Sequence, residues 1–488
     1  MTTNYFELFH ALLPEASLVI GALVVLGYDL VAGRRQNLAA RTRASTIFGL
    51  LALAAAVYPT LVAGTAGDVV GGVFVLDSLA LATRLGVFVL AGLTLALLPG
   101  VSRLNQPAEY VALLLFATVG FSLMAVAQQL LMAFLALELA SLSLYVLAGF
   151  DKSRPESAEA ALKYFLFGGV SAAFMLFGFS LLYGITGSIA LPEIALQLSS
   201  QPPSTLLMVA LVMIIVSFGF KAAAAPFHLW APDVYQGAPL PSAALIASAS
   251  KLAGFVLFTR LLWSGVGPAA GSVSTLDTTP GWLPVIALLA LASILLGNIA
   301  ALAQSNVRRL LAYSAIAHAG GLLLGVMAAG RAGPAPVFYY AATYGLATVG
   351  AFGVLAVVDR AGGCQRLTDL AGLHRRSPLL AACLVIFLLS LAGIPPLAGF
   401  FGKFAVFTAA LQISGLSGII GWLTLLAIAL SAVALYYYLL VLKQAVVTPP
   451  AEGSGRINVP GFAAAALVIA AMLLLVLGVF PSYLLRLI

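Results

Sequence analysis

Six basic residues and one acid lie inside long apolar runs of this sequence: Arg84, Lys163, Lys221, Lys251, Arg260 and Lys403, with Glu138 as the acid. An ionised side chain at such a place costs roughly 2.5–3.5 kcal/mol on insertion scales. It is kept by snorkelling to an interface, by pairing, or by facing water within a bundle. Arg84 and Arg260 lie within reach of helix ends and read as snorkelling side chains or packing salt bridges. Lys251 and Glu138 are too central for that. Their chemistry suits proton transfer. A lysine in a low-dielectric site releases its proton more readily, and a nearby carboxylate reverses the effect. Movement of the pair therefore switches the charge state.

Lys221 stands in Phe220-Lys221-Ala222-Ala223-Ala224-Ala225-Pro226-Phe227-His228. Pro226 lacks an N–H and clashes with the carbonyl of Ala222, so the helix must break or kink there. Freed carbonyls inside a membrane need water or polar partners, which predicts a hydrated cavity. A spacing of seven would put His228 on the face of Lys221, two turns away. That makes His228 a candidate proton carrier, against the bland alternative of a satisfied core histidine. A second break is predicted at Gly393-Ile394-Pro395-Pro396, leaving the carbonyls of Leu391 and Ala392 without helical partners, with Lys403 just beyond. Glu138, Lys163, Lys221, Lys251 and Lys403, with His228 and His318 between, form a candidate relay. Sodium would favour a set of hard oxygen ligands, and one central Glu among lysines argues for protons. Two cysteines, Cys364 and Cys383, cannot hold an iron–sulfur cluster or a structural zinc. Haem held by His228 and His318 is disfavoured, because bis-histidine haem proteins usually carry more than one such pair. No metal or cofactor is therefore expected in this chain.

The elements that must position these groups are membrane helices. Of 488 residues 62% are apolar and 8% charged, against about 25% charged in soluble domains. With a mean hydropathy of +1.11, this excludes a soluble enzyme, a disordered chain and a disulfide scaffold. Residues 1–10 hold no Lys or Arg, so the first apolar stretch reads as a retained helix and not a cleaved signal. Fourteen stretches are long enough to span, roughly 11–32, 44–63, 74–98, 108–127, 129–150, 158–186, 204–229, 238–264, 282–303, 307–330, 334–359, 379–409, 416–445 and 458–482. If the loop after the first helix is inside, the inside segments hold Arg34, Arg35, Arg41, Arg43, Arg103, Lys152, Arg154, Arg308, Arg309, Arg360, Arg366, Arg375, Arg376, Lys443 and Arg456. The outside segments hold Arg331 and Arg486. That bias obeys the positive-inside rule, supports an even count with both termini outside, and explains the net charge of +7 without nucleic acid. The two breaks fall in helices seven and twelve. Five spans apart, these helices cross in opposite directions, so helices 4–8 and 9–13 form two inverted five-helix repeats, a transporter signature. The expected fold is an all-α polytopic membrane protein. Its divisions are a three-helix segment 1–107, repeats 108–264 and 282–445, and a last helix in 446–488.

Five strings carry a family resemblance: LALELASLSLYVLAGF (135–150), ALKYFLFGG (161–169), KAAAAPFHLWAPDVYQGAP (221–239), NVRRLLAYSAIAHAGGLLLG (306–325) and LSLAGIPPLAGFFGKF (389–404). They cover the central part of the chain, and PFHLWAPDVYQGAP is the most specific. On them the sequence resembles the antiporter-like membrane subunits of respiratory complex I, the bacterial NADH–quinone oxidoreductase, and within these the subunit N family. The resemblance implies a proton-translocating subunit of a translocase. In it Glu138 can pair with Lys221, while Lys163, Lys251 and Lys403 complete a mid-membrane polar axis. It implies that flavin, iron–sulfur clusters and the quinone pocket reside in other membrane and peripheral subunits, the partners of this chain, and that its home is the bacterial inner membrane. Gly321, where relatives often carry an aromatic residue, and the plain run Ala222–Ala225 depart from the family pattern without touching a titratable position. Subunits of multisubunit cation/proton antiporters or membrane-bound hydrogenases share these features and are the alternative. A passive scaffold, whose buried lysines only pin helices, is the reading from another class.

Overall fold

A computed structural model describes residues 5–101, 104–200, 203–273, 279–416, 418–450 and 455–488. Arg103, counted above with the inside loops, lies outside them. The chain folds into long apolar helices: α1 (Leu13–Val31), α2 (Leu38–Ala63), α3 (Ser78–Ala96), α4 (Pro107–Val126), α5 (Leu130–Ala148) and α6 (Pro155–Thr186). Then come α7 (Thr205–Ala222), α8 (Trp230–Gly237), α9 (Leu240–Ala247), α10 (Ala249–Arg260), α11 (Trp282–Leu302) and α12 (Val307–Ala332). The last are α13 (Ala335–Gly362), α14 (Pro378–Ala392), α15 (Ala398–Ser414), α16 (Ile419–Leu442) and α17 (Gly461–Val479). Among the described residues thirteen helical stretches are long and apolar enough to cross a membrane. The shorter pair α14 and α15, joined across the double proline, makes the fourteenth crossing.

Local chemistry sets the helix ends. Asn37, Asp77, Ser204 and Asn306 each accept a backbone N–H as N-caps of α2, α3, α7 and α12. Pro107, Pro155 and Pro378 open α4, α6 and α14, where a missing N–H does no harm. The helices α10, α12 and α13 form the centre of the bundle and are buried nearly all round. Large apolar side chains such as Leu131, Leu135 and Leu142 on α5 and Phe165, Val170 and Phe177 on α6 face outward, as a lipid-facing or subunit-facing surface requires.

The two ends of the bundle differ in charge. At one end the loops carrying Arg34, Lys152, Arg154, Arg360, Arg366 and Arg456 gather around shared clefts. At the other, the hairpin of β1 (Gly67–Val69) and β2 (Phe74–Leu76) meets both chain ends: Glu7 accepts from the Val70 N–H at 3.0 Å, and Ser78 donates to the Ile488 carbonyl at 3.3 Å. The termini therefore share one side, as an even number of crossings demands.

Two features depart from the sequence reading. The seventh helix does not continue to residue 229. It ends at Ala222, with Ala223 in the left-handed region at φ +56°, and α8 starts only at Trp230. His228 thus lies in the connecting turn and shares no helical face with Lys221; the missing N–H of Pro226 ended the helix before the sevenfold spacing could apply. The eighth crossing is interrupted as well, at Ser248 (φ −115°, ψ −84°) between α9 and α10, three residues before Lys251. No proline marks that point, and Ser248 instead donates to the Ala244 carbonyl at 2.6 Å.

Candidate functional site

At both predicted breaks backbone groups find partners from elsewhere in the fold, and those partners hold the breaks in place. In the first, Trp230 Nε1 donates to the Phe220 carbonyl at 3.0 Å and Ala224 N–H to Gly219 at 2.8 Å. The Ala225 N–H reaches across to Ser293 Oγ of α11 at 2.8 Å, so the interruption in one repeat is held by the other. In the second, the freed carbonyl of Ala392 accepts from Lys403 Nζ at 2.9 Å. Gly393 adopts φ +89°, and a Cβ there would stand 3.0 Å from Lys403 Cδ, so both backbone and space call for glycine.

Glu138, on α5, is partly buried. Lys221 is buried, and its Nζ donates to Ser141 Oγ at 3.1 Å, one turn along α5 from Glu138. No direct ion pair joins Glu138 and Lys221 among the described residues; the Lys221 ammonium bonds Ser141 instead. Lys221 packs over Gly254 of α10, where even a Cβ would lie only 3.6 Å from Lys221 Cγ. A cavity of about 10 Å3 between Lys221 and Lys251 borders Ser250, a volume close to that needed for one water.

Lys251 is 2% exposed. It donates to the Ala315 carbonyl of α12 at 2.6 Å and sits 5.4 Å from the centre of the Tyr344 ring. His318, one turn along α12 from Ala315, rests on the same Tyr344 ring at 4.8 Å. Its Nδ1 lies 2.8 Å from the Tyr340 hydroxyl and its Nε2 3.2 Å from that of Tyr438, which also bonds Ser314. A cavity of about 30 Å3 separates His318 from Lys403 and is bordered by Tyr340, Tyr437, Asn298 and Ser431. That is room for a water with several polar partners. Glu138, Ser141, Lys221, Lys251, His318 and Lys403 thus form one file that passes from helix to helix through α5, α7, α10, α12 and α15, with tyrosine hydroxyls at its far half.

Two of the sequence-derived candidates lie off this file. Lys163 is 37% exposed and pairs with Glu159 and Asp233, each at 2.6 Å; Arg309 holds the other Asp233 oxygen at 2.6 Å. These ion pairs tie α6, α8 and α12 together near the basic end. His228 is buried, with Nδ1 lacking a protein partner. Arg84 and Arg260 are packing salt bridges, to Glu15 at 2.8 Å and Asp77 at 2.9 Å. Sequence reasoning missed Ser141, Tyr340, Tyr344, Tyr437 and Tyr438. The pair Tyr340 and Tyr344 at helical spacing inside an apolar run, and Tyr436-Tyr437-Tyr438 inside another, were the available signals. No group of three His, Cys, Asp or Glu side chains placed to hold a metal occurs among the described residues.

Residues 127–431 match the model of a family described as NADH:quinone oxidoreductase/Mrp antiporter, transmembrane. The chain is 49% identical over 498 aligned positions to NADH-quinone oxidoreductase subunit N 2 of Acidobacterium capsulatum, covering 99% of each. It is similar to a chain in the structure of respiratory complex I from Thermus thermophilus with bound aureothin: 34% identity, TM-score 0.78, covering 97% of this chain and 98% of that one. A chain of the Mrp complex from Dietzia sp. shares the fold at 21% identity and TM-score 0.82, covering 98% and 96%.

Proposed function

Because this chain belongs to the NADH:quinone oxidoreductase/Mrp antiporter membrane family, and within it to the subunit N group, we propose that it moves protons across the bacterial inner membrane through the buried file from Glu138 to Lys403. The single observation that carries this reading is the continuity of the file across both interrupted helices. Lys221 bonds Ser141, cavities lie beside Lys221 and Lys251 and between His318 and Lys403, Lys251 and His318 meet on one Tyr344 ring, and the low-dielectric packing around the buried lysines magnifies the field of each charge. Glu138 and Lys221, whose ammonium bonds Ser141 one turn along α5 from Glu138, form the responsive pair: a change in their separation alters the charge that Lys251 feels across the small cavity. Lys251 and His318 are linked through one turn of α12 and the face of Tyr344. His318, held between two hydroxyls, passes a proton toward Lys403 by way of the larger cavity. Lys403 anchors to a carbonyl that exists as an acceptor only because the double proline broke the helix, so movement at the break moves the lysine.

The chain works as a subunit of the NADH–quinone oxidoreductase complex, with other membrane and peripheral subunits as partners. In this reading electron transfer takes place in those other subunits, and quinone reduction reaches this chain as a conformational or electrostatic signal. The basic end faces the cytoplasm and both termini the periplasm, in line with the positive-inside bias. Lys163, with Glu159, Asp233 and Arg309, acts as a clasp between the repeats 108–264 and 282–445. The test is to purify the tagged chain with its partners and seal the assembly into vesicles. NADH oxidation with a quinone should drive an uncoupler-sensitive pH gradient. Sodium–proton exchange without any NADH-oxidising partner would replace this reading with that of a multisubunit antiporter.

A further inference from the structure

At the basic end, the start of α2, the end of α13, the start of α17 and the turn at Leu98–Gly100 enclose a cavity of about 930 Å3. Arg43, Arg360 and Arg456 line it, one from each of three separate segments. No Asp or Glu lines it, and none of the three arginines forms an ion pair among the described residues. Arg360 alone is oriented, by a 2.8 Å bond to the Pro99 carbonyl. The first turns of α2 and α17 face the same space, and α17 begins without a side-chain cap. The free N–H groups at the uncapped start of α17 add partial positive charge to that of the arginines. Three guanidinium groups that form no ion pair among the described residues thus line one cavity, and a bound anion would pair with them.

Thr42 and Asn458 are the other polar side chains of the wall, and Leu38, Val357 and Phe462 supply apolar surface beside them. From Arg43 an exposed stripe continues down α2 through Ile47 and Leu51 at fourfold spacing. A similar exposed stripe runs along α17 through Val468 and Met472. The helix α3 packs against both α2 and α17, and its Val89 is exposed toward the outside. An anion with two long apolar tails matches this layout, because the exposed apolar stripes of α2 and α17 lead directly away from the arginines. We propose that this cavity binds the phosphate headgroup of an anionic phospholipid, with the acyl chains lying along α2 and α17. The proposal is independent of the proton relay.

The test uses the purified, delipidated complex in detergent, with dioleoylphosphatidylglycerol, dioleoylphosphatidylcholine and inorganic phosphate as probes. Native mass spectrometry reads the lipid retained on this subunit. The native chain should retain phosphatidylglycerol and not phosphatidylcholine. Combining R43Q, R360Q and R456Q should weaken that site on the order of a hundredfold, from roughly fivefold per arginine near a membrane surface. Ala39→Glu, at an exposed position lining the cavity, places a carboxylate there without disturbing the fold, and should also abolish retention. Equal retention in Ala39→Glu and the native chain, equal retention of phosphatidylcholine, or full displacement by inorganic phosphate at matched concentration would each overturn the proposal.

Discussion

Replacing Ser141 with Ala removes the one hydrogen bond that Lys221 makes among the described residues, at 3.1 Å from its ammonium nitrogen, and leaves both titratable groups in place. The fold should tolerate the change. Ser141 lies inside α5, its hydroxyl otherwise bonds the Leu137 carbonyl and the Tyr145 hydroxyl, and alanine favours a helix interior by about 0.5 kcal/mol. A hydrogen bond to a charged group contributes roughly 1.5–3 kcal/mol. If Ser141 carries the proton between Glu138 and Lys221, that loss slows the step by about tenfold to a hundredfold. The assay is NADH-driven acidification in sealed vesicles, with NADH oxidation and subunit content measured in the same preparation. Pumping and coupled oxidation should fall together with assembly unchanged, and Ser141→Thr, which keeps a hydroxyl, should restore most of both. Full pumping by Ser141→Ala would refute the bridging role and leave Glu138 and Lys221 to communicate through space alone.

Other outcomes follow from the same geometry. Glu15→Gln leaves the 2%-exposed Arg84 without its counter-charge, a loss of about 3–5 kcal/mol, so the complex should inactivate at lower temperature while assembled molecules pump normally. Lys163→Ala removes only half-exposed ion pairs, each of about 0–1 kcal/mol, and should keep more than half of native pumping, in contrast to substitutions within the file. In the loop after α13, burial pushes the Cys364 thiol up to about 12, so the reactive thiolate is scarce below that pH. Maleimide labelling of Cys364 at pH 8 should therefore be negligible in the folded chain and rapid after denaturation.

The sequence made the crossings legible because a bilayer demands apolar length, and the breaks legible because proline cannot supply an N–H. Gly393-Ile394-Pro395-Pro396 announced that the carbonyls of Leu391 and Ala392 would be free, and Lys403 is the side chain that uses the second. What a linear reading could not supply was lateral placement. Lys163 looked equivalent to Lys221 by hydropathy, yet its start-of-helix position on α6 puts it beside Asp233 and Arg309. His228 looked like a partner of Lys221 only under a helical spacing that Pro226 had already cancelled. The interruption at Ser248 has no proline to mark it in the sequence, and the half-helices α9 and α10 on either side of it both pack on α13. The tyrosines around His318 were hidden for a related reason: their hydroxyls come from two helices, α13 and α16, nearly a hundred residues apart in sequence.

Proton pumping by Lys221→Ala in the intact, sealed complex tests the central claim most directly. Lys221 is the buried group that joins the Glu138 side of the file to the Lys251 side, across the break that the second repeat holds open. NADH-driven pumping and coupled oxidation should collapse together while the complex remains assembled. Unchanged pumping in the assembled variant would contradict the account, making the broken helix a structural element and placing proton transfer elsewhere.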